Sequence, residues 1–75
     1  NEAFENNSGI KIFNNFIHSN LQSDSKVDFY AITGQRLASL TLKSNQTLEI
    51  PMQQKGMYLA IIESENSSKT IKFAL

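Results

Sequence analysis

Along this chain apolar residues recur at every second position and almost never at the 3.6-residue spacing of a helix, so the pattern predicts strands throughout. Gly9 to Phe13 reads as a first strand, with Ile10 and Ile12 on one face and Lys11 on the other. Asn14-Asn15 breaks it, and Phe16 to Leu21 forms a weaker second strand. Gln22-Ser23-Asp24-Ser25 is a loop, because short Asp and Ser side chains hydrogen-bond nearby backbone. Lys26 to Ile32 is a strand with Val27, Phe29 and Ala31 on one face and Tyr30 and Ile32 on the other. Thr33-Gly34 reverses the chain, with Gly34 supplying the positive φ of a tight hairpin, and Gln35 to Leu42 pairs back. After a polar turn at Lys43 to Gln46, Thr47 to Ile50 is a short strand ended by Pro51, which cannot donate to a central ladder.

The last third is the most strongly patterned. Gln53-Gln54-Lys55-Gly56 turns into a strand from Met57 to Glu63, Glu65-Asn66-Ser67-Ser68 makes the final hairpin turn, and Lys69 to Leu75 is the last strand. Both apolar phases of Met57 to Ile62 are filled, which places this strand inside a sheet. Its neighbours alternate, as antiparallel strands with one wet face do. Ile71, Phe73 and Leu75 share a face, so the final strand is expected to be paired and its end built into the fold rather than frayed. Residues 1–8 are polar, with Phe4 their one large apolar side chain, and read as a linker ahead of a single domain over 9–75. The start at Asn1 rather than Met points to a piece of a longer polypeptide. Short strands at turn spacings of about ten residues predict an all-β fold, an immunoglobulin-like antiparallel β-sandwich of about seven strands.

Composition narrows what such a domain can do. At 75 residues it sits near the lower edge of what one hydrophobic core supports. Burial of its five Phe and two Tyr is expected to supply much of the stability, at roughly 25 cal/mol per Å² of apolar area. The absence of cysteine removes disulfides, thiolate metal sites and a thiol nucleophile. Seven basic residues balance seven acidic ones with no Lys/Arg stripe, which argues against a nucleic-acid partner. No apolar run approaches the ~20 residues of a membrane helix, so membrane insertion is not expected, and no charged-then-apolar leader stands at the start.

Candidate chemistry is sparse. His18 is the single histidine and has no nucleophile at a useful spacing. Asp24, Ser25 and Asp28 lack the spaced carboxylate ladder of a calcium loop. Asn45-Gln46-Thr47 and Asn66-Ser67-Ser68 match the N-glycosylation pattern without further support. Nothing assembles a nucleophile, a base and an oxyanion site, so no catalytic, cofactor or metal residues are expected and the chain reads as a non-enzyme. Gly34 and Gly56 are first of all turn glycines, and Tyr58 is first of all a core or inter-sheet aromatic. Lys69 and Lys72 are expected to point outward into solvent, near the chain end, where they are candidates for contact with a receptor.

Several of these segments, taken in order, resemble one family. Ile10 to Phe16 reads Ile-Lys-Ile-Phe-Asn-Asn-Phe, an apolar strand running into a four-residue turn motif. Val27 to Arg36 is a strand that ends at Ile32-Thr33-Gly34. Lys55-Gly56-Met57-Tyr58-Leu59 has the form Lys-Gly-apolar-Tyr-apolar, and Lys69 to Leu75 closes with a Lys-apolar pair and a short apolar tail. This succession resembles the C-terminal sorting domain of the type IX secretion system of the Bacteroidota, over about Gly9 to Leu75. The chain departs from the family's opening Tyr-Pro-Asn-Pro motif at both prolines, where Asn14 and Phe16 stand, and has a short segment before Val27.

The resemblance implies a targeting function. Such domains ride behind a cargo that has crossed the inner membrane, are recognised in the periplasm and pass through the outer-membrane translocon. A cell-surface sortase commonly removes them. The partners implied are that machinery and an N-terminal cargo domain, and the destination is the outer-membrane surface or the medium. On this resemblance Gly34, Lys55, Gly56, Tyr58, Lys69, Lys72 and Leu75 are the motif and recognition candidates. The alternative is a small immunoglobulin-like accessory module that binds carbohydrate or protein on a surface enzyme or adhesin. That reading calls for exposed aromatics on one face, whereas sorting calls for dependence on the last strand. A stand-alone inhibitor or toxin is disfavoured by the missing disulfides.

Overall fold

The computed structural model describes residues 9–65 and 67–75. Every regular element in them is a strand: β1 (Ile10–Phe13), β2 (Phe16–Ser19), β3 (Ser25–Ala31), β4 (Arg36–Leu42), β5 (Thr47–Glu49), β6 (Met57–Ser64) and β7 (Ser67–Ala74). They form two antiparallel sheets, a three-stranded one in the order β1-β2-β5 and a four-stranded one in the order β4-β3-β6-β7. The expected all-β sandwich is therefore present. As expected from its doubly apolar pattern, β6 is flanked on both sides.

Local chemistry sets the turns. Between β1 and β2, Asn14 takes φ 52°, a region that Asn visits because its short amide hydrogen-bonds locally. Between β3 and β4, Gly34 N–H donates to the Ala31 carbonyl and Ala31 N–H donates to the Gln35 carbonyl, each at 2.8 Å. Gly34 has φ 102°, as a three-residue hairpin loop with a left-handed last position requires. Just beyond it the register slips, since Phe29 faces Ala38 and Tyr30 faces Arg36. Leu37 is the extra residue, and this bulge bends the start of β4.

The two sheets bury their facing sides against each other. Ile10 and Ile17 from the small sheet meet Val27, Phe29, Ile62 and Phe73 from the large one, all less than 5% exposed. In the centre Phe29 pairs across the strands with Ala60, a small neighbour that leaves room for the ring. The Phe29 and Phe73 rings meet edge-on, with centroids 6.0 Å apart and planes at 76°, the arrangement favoured by opposed ring edge and face charges.

Several expectations need correction. Ser67 and Ser68 belong to β7, because Ser64 and Ser67 are already paired and the last hairpin turn is tighter than four residues. Ser25 joins β3, whereas Ile32 falls in the three-residue hairpin loop and Gln35 lies between that loop and β4. The aromatic core is also smaller than expected. Phe29, Phe73 and Tyr58 are buried, but Phe13 and Phe16 are 46% and 39% exposed. Those two residues are direct cross-strand partners on either side of the Asn14-Asn15 turn, one step out of phase with the buried Ile17. Tyr30 is only half-buried. The linker expected over residues 1–8, with Phe4, lies outside the described residues.

Candidate functional site

Five of the seven motif residues converge on one end of the large sheet. Leu75 N–H donates to the Gly56 carbonyl at 2.9 Å, and Gly56 N–H donates back to the Leu75 carbonyl at 3.4 Å. One pair further along, Met57 faces Ala74, and then Tyr58 faces Phe73. Across β6, Tyr58 faces Ala31, which opens the hairpin that carries Gly34. Gly34, Gly56, Tyr58 and Leu75 thus lie within one end of the sandwich, with Lys55 exposed beside them.

Tyr58 organises this end. The residue is 8% exposed, and its ring stacks on Phe73 with centroids 5.8 Å apart. Its hydroxyl donates to the Gln54 carbonyl at 2.6 Å. A buried tyrosine near the start of a strand, bonded to backbone a few residues upstream, is the corner found in immunoglobulin-like sandwiches. The bond pins the Gln53–Gly56 loop to the core and is worth about 1 kcal/mol net. Gly56 makes the same turn possible with φ 152°.

The two lysines do not belong to this cluster, and they do not share a face. Three residues apart on a strand, they point to opposite sides of the sheet. Lys69 pairs with Ile62, in phase with Ile71 and Phe73 on the side that carries the core. Lys72 pairs with Leu59 and stands on the outer side. Both are exposed. Lys69 also lines a cleft of about 90 Å³ with Ile10, Leu21, Ile62, Ser64 and Ser67. That volume is well below the ~300 Å³ at which small-molecule pockets begin.

Asn15 contributes a contact that the strand pattern does not announce. Its carbonyl accepts the Ile50 N–H at 2.7 Å, and its Nδ2 donates to the Ile50 carbonyl at 3.3 Å. It therefore ties the β1–β2 turn to the end of β5. Asn15 stands at the Asn of the opening motif whose prolines are replaced, which marks the turn but not its contact with Ile50. His18 is occupied structurally. Its Nδ1 lies 2.7 Å from Thr47 Oγ1 and its Nε2 lies 2.9 Å from Asn20 Oδ1, which the Nε2–H tautomer satisfies at both nitrogens. Among the described residues no group of three or more His, Cys, Asp or Glu side chains converges on a possible metal position.

A family model described as a secretion system C-terminal sorting domain matches residues 4–75. No curated protein and no solved structure matches.

Proposed function

The chain belongs to the family of C-terminal sorting domains of the type IX secretion system, and on that premise we propose that it directs an N-terminally attached cargo through the outer-membrane translocon to the cell surface or the medium. The family is one of secretion signals rather than of catalysts. The observation that carries the reading is the family match over residues 4–75, which includes the seam joining Gly56 to Leu75. In this role the sandwich folds on its own in the periplasm, with residues 1–8 as the tether to cargo. It presents its motif-bearing end to the export machinery, and a surface sortase then releases or transfers the cargo. Gly34, Gly56 and Tyr58 shape that end, Lys55 offers charge beside it, and Lys72 offers charge on the outer face of β7.

The test is a fusion of residues 1–75 behind a periplasmic reporter in a host that carries the type IX machinery. Reporter on the surface or in the medium is the expected result. Export no better than that of the bare reporter sinks the sorting reading.

One observation favours a second reading as an accessory module. Phe13 and Phe16 form an exposed aromatic pair with centroids 6.2 Å apart. Rings exposed on a sheet face suit stacking on a sugar. Retention of the wild-type chain, but not of Phe13→Ser, on a polysaccharide column would support it.

A further inference from the structure

Among the described residues four strands lie at sheet edges, namely β1, β5, β4 and β7. An edge strand offers unpaired N–H and C=O groups to other chains, and proteins blunt such edges with shortness, proline, bulges or charge. β1 has four residues and β5 has three, with Pro51 close behind β5. β4 is bulged at Leu37. β7 differs from all of these. It runs for eight residues without Pro or Gly, in unbroken register from Ser64↔Ser67 to Met57↔Ala74, and among the described residues it has β6 on one side only.

The free groups on that edge follow from the seam. Gly56 and Leu75 exchange both of their hydrogen bonds, and hydrogen-bonded pairs alternate with non-bonded pairs along an antiparallel ladder. Tyr58↔Phe73, Ala60↔Ile71 and Ile62↔Lys69 are therefore the bonded pairs. The backbone groups of Ser68, Thr70, Lys72 and Ala74 turn away from β6, along an edge roughly 20 Å long. The side chains of these four residues are exposed on the outer face. On the other face Ile71 and Leu75 are only half-buried at the border of the core.

We propose that the free edge of β7 accepts an extended strand from the export machinery, a segment that alternates apolar and acidic side chains. The inference rests on the sorting reading above. The apolar side chains of the incoming strand would extend the core over Ile71 and Leu75, and its acidic ones would face Lys72. Main-chain bonds to Ser68, Thr70, Lys72 and Ala74 supply affinity, and the side-chain alternation supplies specificity. A second copy of this chain is a poorer occupant, since pairing two β7 strands brings two lysines from each to one seam.

Proline separates this mode from recognition of side chains. Thr70→Pro deletes an N–H on the free edge and none of the bonds to β6, a position where strands accept proline. Thr70→Ala changes the side chain alone. In the reporter fusion the wild type and Thr70→Ala are expected to be exported equally. Thr70→Pro, shown by thermal melting to be folded, is expected to lose at least tenfold. Ala74→Pro, nearer the strand end, serves if Thr70→Pro does not fold. Lys72→Glu, which reverses the charge, is expected to cost more export than Lys72→Gln. Normal export of a folded proline variant overturns strand addition and leaves the sorting reading intact, whereas failure of the wild-type fusion strikes the sorting reading itself. A dimer of the isolated chain that Thr70→Pro dissociates, with export unchanged, assigns the edge to a second copy and likewise overturns the proposal.

Discussion

Gly56 and Leu75 hold each other by a reciprocal pair of backbone hydrogen bonds, at 2.9 and 3.4 Å. The last residue of the chain is thereby fastened to the glycine that opens β6, one pair beyond Met57↔Ala74. Removing the segment that makes this seam strips Ile71, Phe73 and Leu75 from the core. Phe73 is fully buried and Ile71 and Leu75 are half-buried. At ~1.5–3 kcal/mol for a fully buried side chain and less for the other two, together with the lost backbone bonds to β6, the loss is a large share of a small domain's stability. A chain ending at Ser68 is expected to be unfolded, and circular dichroism with thermal melting checks it. An unchanged melt would contradict the seam's role.

Both turn glycines should resist replacement by a residue that carries a Cβ. A Cβ at Gly34 would meet no heavy atom within 4 Å, so the cost there comes from φ 102° alone. Gly34→Asn is expected to be milder than Gly34→Val, since Asn accepts left-handed backbone and a β-branched residue does not. Val at either Gly34 or Gly56 should cost at least ~1 kcal/mol. Urea denaturation midpoints of the three variants test the order.

Tyr58→Phe keeps the ring on Phe73 and deletes only the bond to the Gln54 carbonyl. The expected loss is about 1 kcal/mol, with proteolysis rising in the 53–56 loop that the hydroxyl holds down. A variant with wild-type stability and wild-type cleavage would show that the hydroxyl does not anchor the loop.

Because Lys69 and Lys72 face opposite sides of the sheet, they should be changed separately. Each Gln variant is expected to stay folded within ~0.5 kcal/mol, as exposed substitutions usually do. If docking uses the outer face, Lys72→Gln weakens export of the reporter fusion and Lys69→Gln leaves it near wild type. Equal export of both removes a charge role for Lys72.

Much of this architecture was legible because its central strands carry unambiguous periodicity. Val27 and Phe29 alternate with polar neighbours, and Met57 to Ile62 is apolar in both phases, which only a flanked strand tolerates. The errors fell where neighbours rather than pattern decide. Ser67 and Ser68 look like turn residues, yet a strand exposed on an edge has no need of apolar side chains. Phe13 and Phe16 look like core, but their phase places them outside the buried Ile17. The seam was half visible, since the Lys55–Leu59 and Lys69–Leu75 motifs stood out while their pairing came from the register. Asn15 escaped altogether, because a turn asparagine gives no hint of which distant strand its amide will reach.

The placement of β6 has a kinetic consequence. Phe29 meets its partner Ala60 only after the whole of β4 and β5 has been synthesised between them, and β2 waits in the same way for β5. Pairings this distant in sequence delay folding until the loops between them have closed, typically on a scale of about milliseconds to seconds. Stopped-flow refolding should show one slow phase that Phe29→Ala retards, if the β3–β6 contact forms in the rate-limiting step. The β1–β2 and β3–β4 hairpins are local in sequence and can pair early, but the central sheet is complete only once β6 has joined β3. In that order of assembly the two hairpins lack a shared core until β6 supplies Tyr58, Ala60 and Ile62.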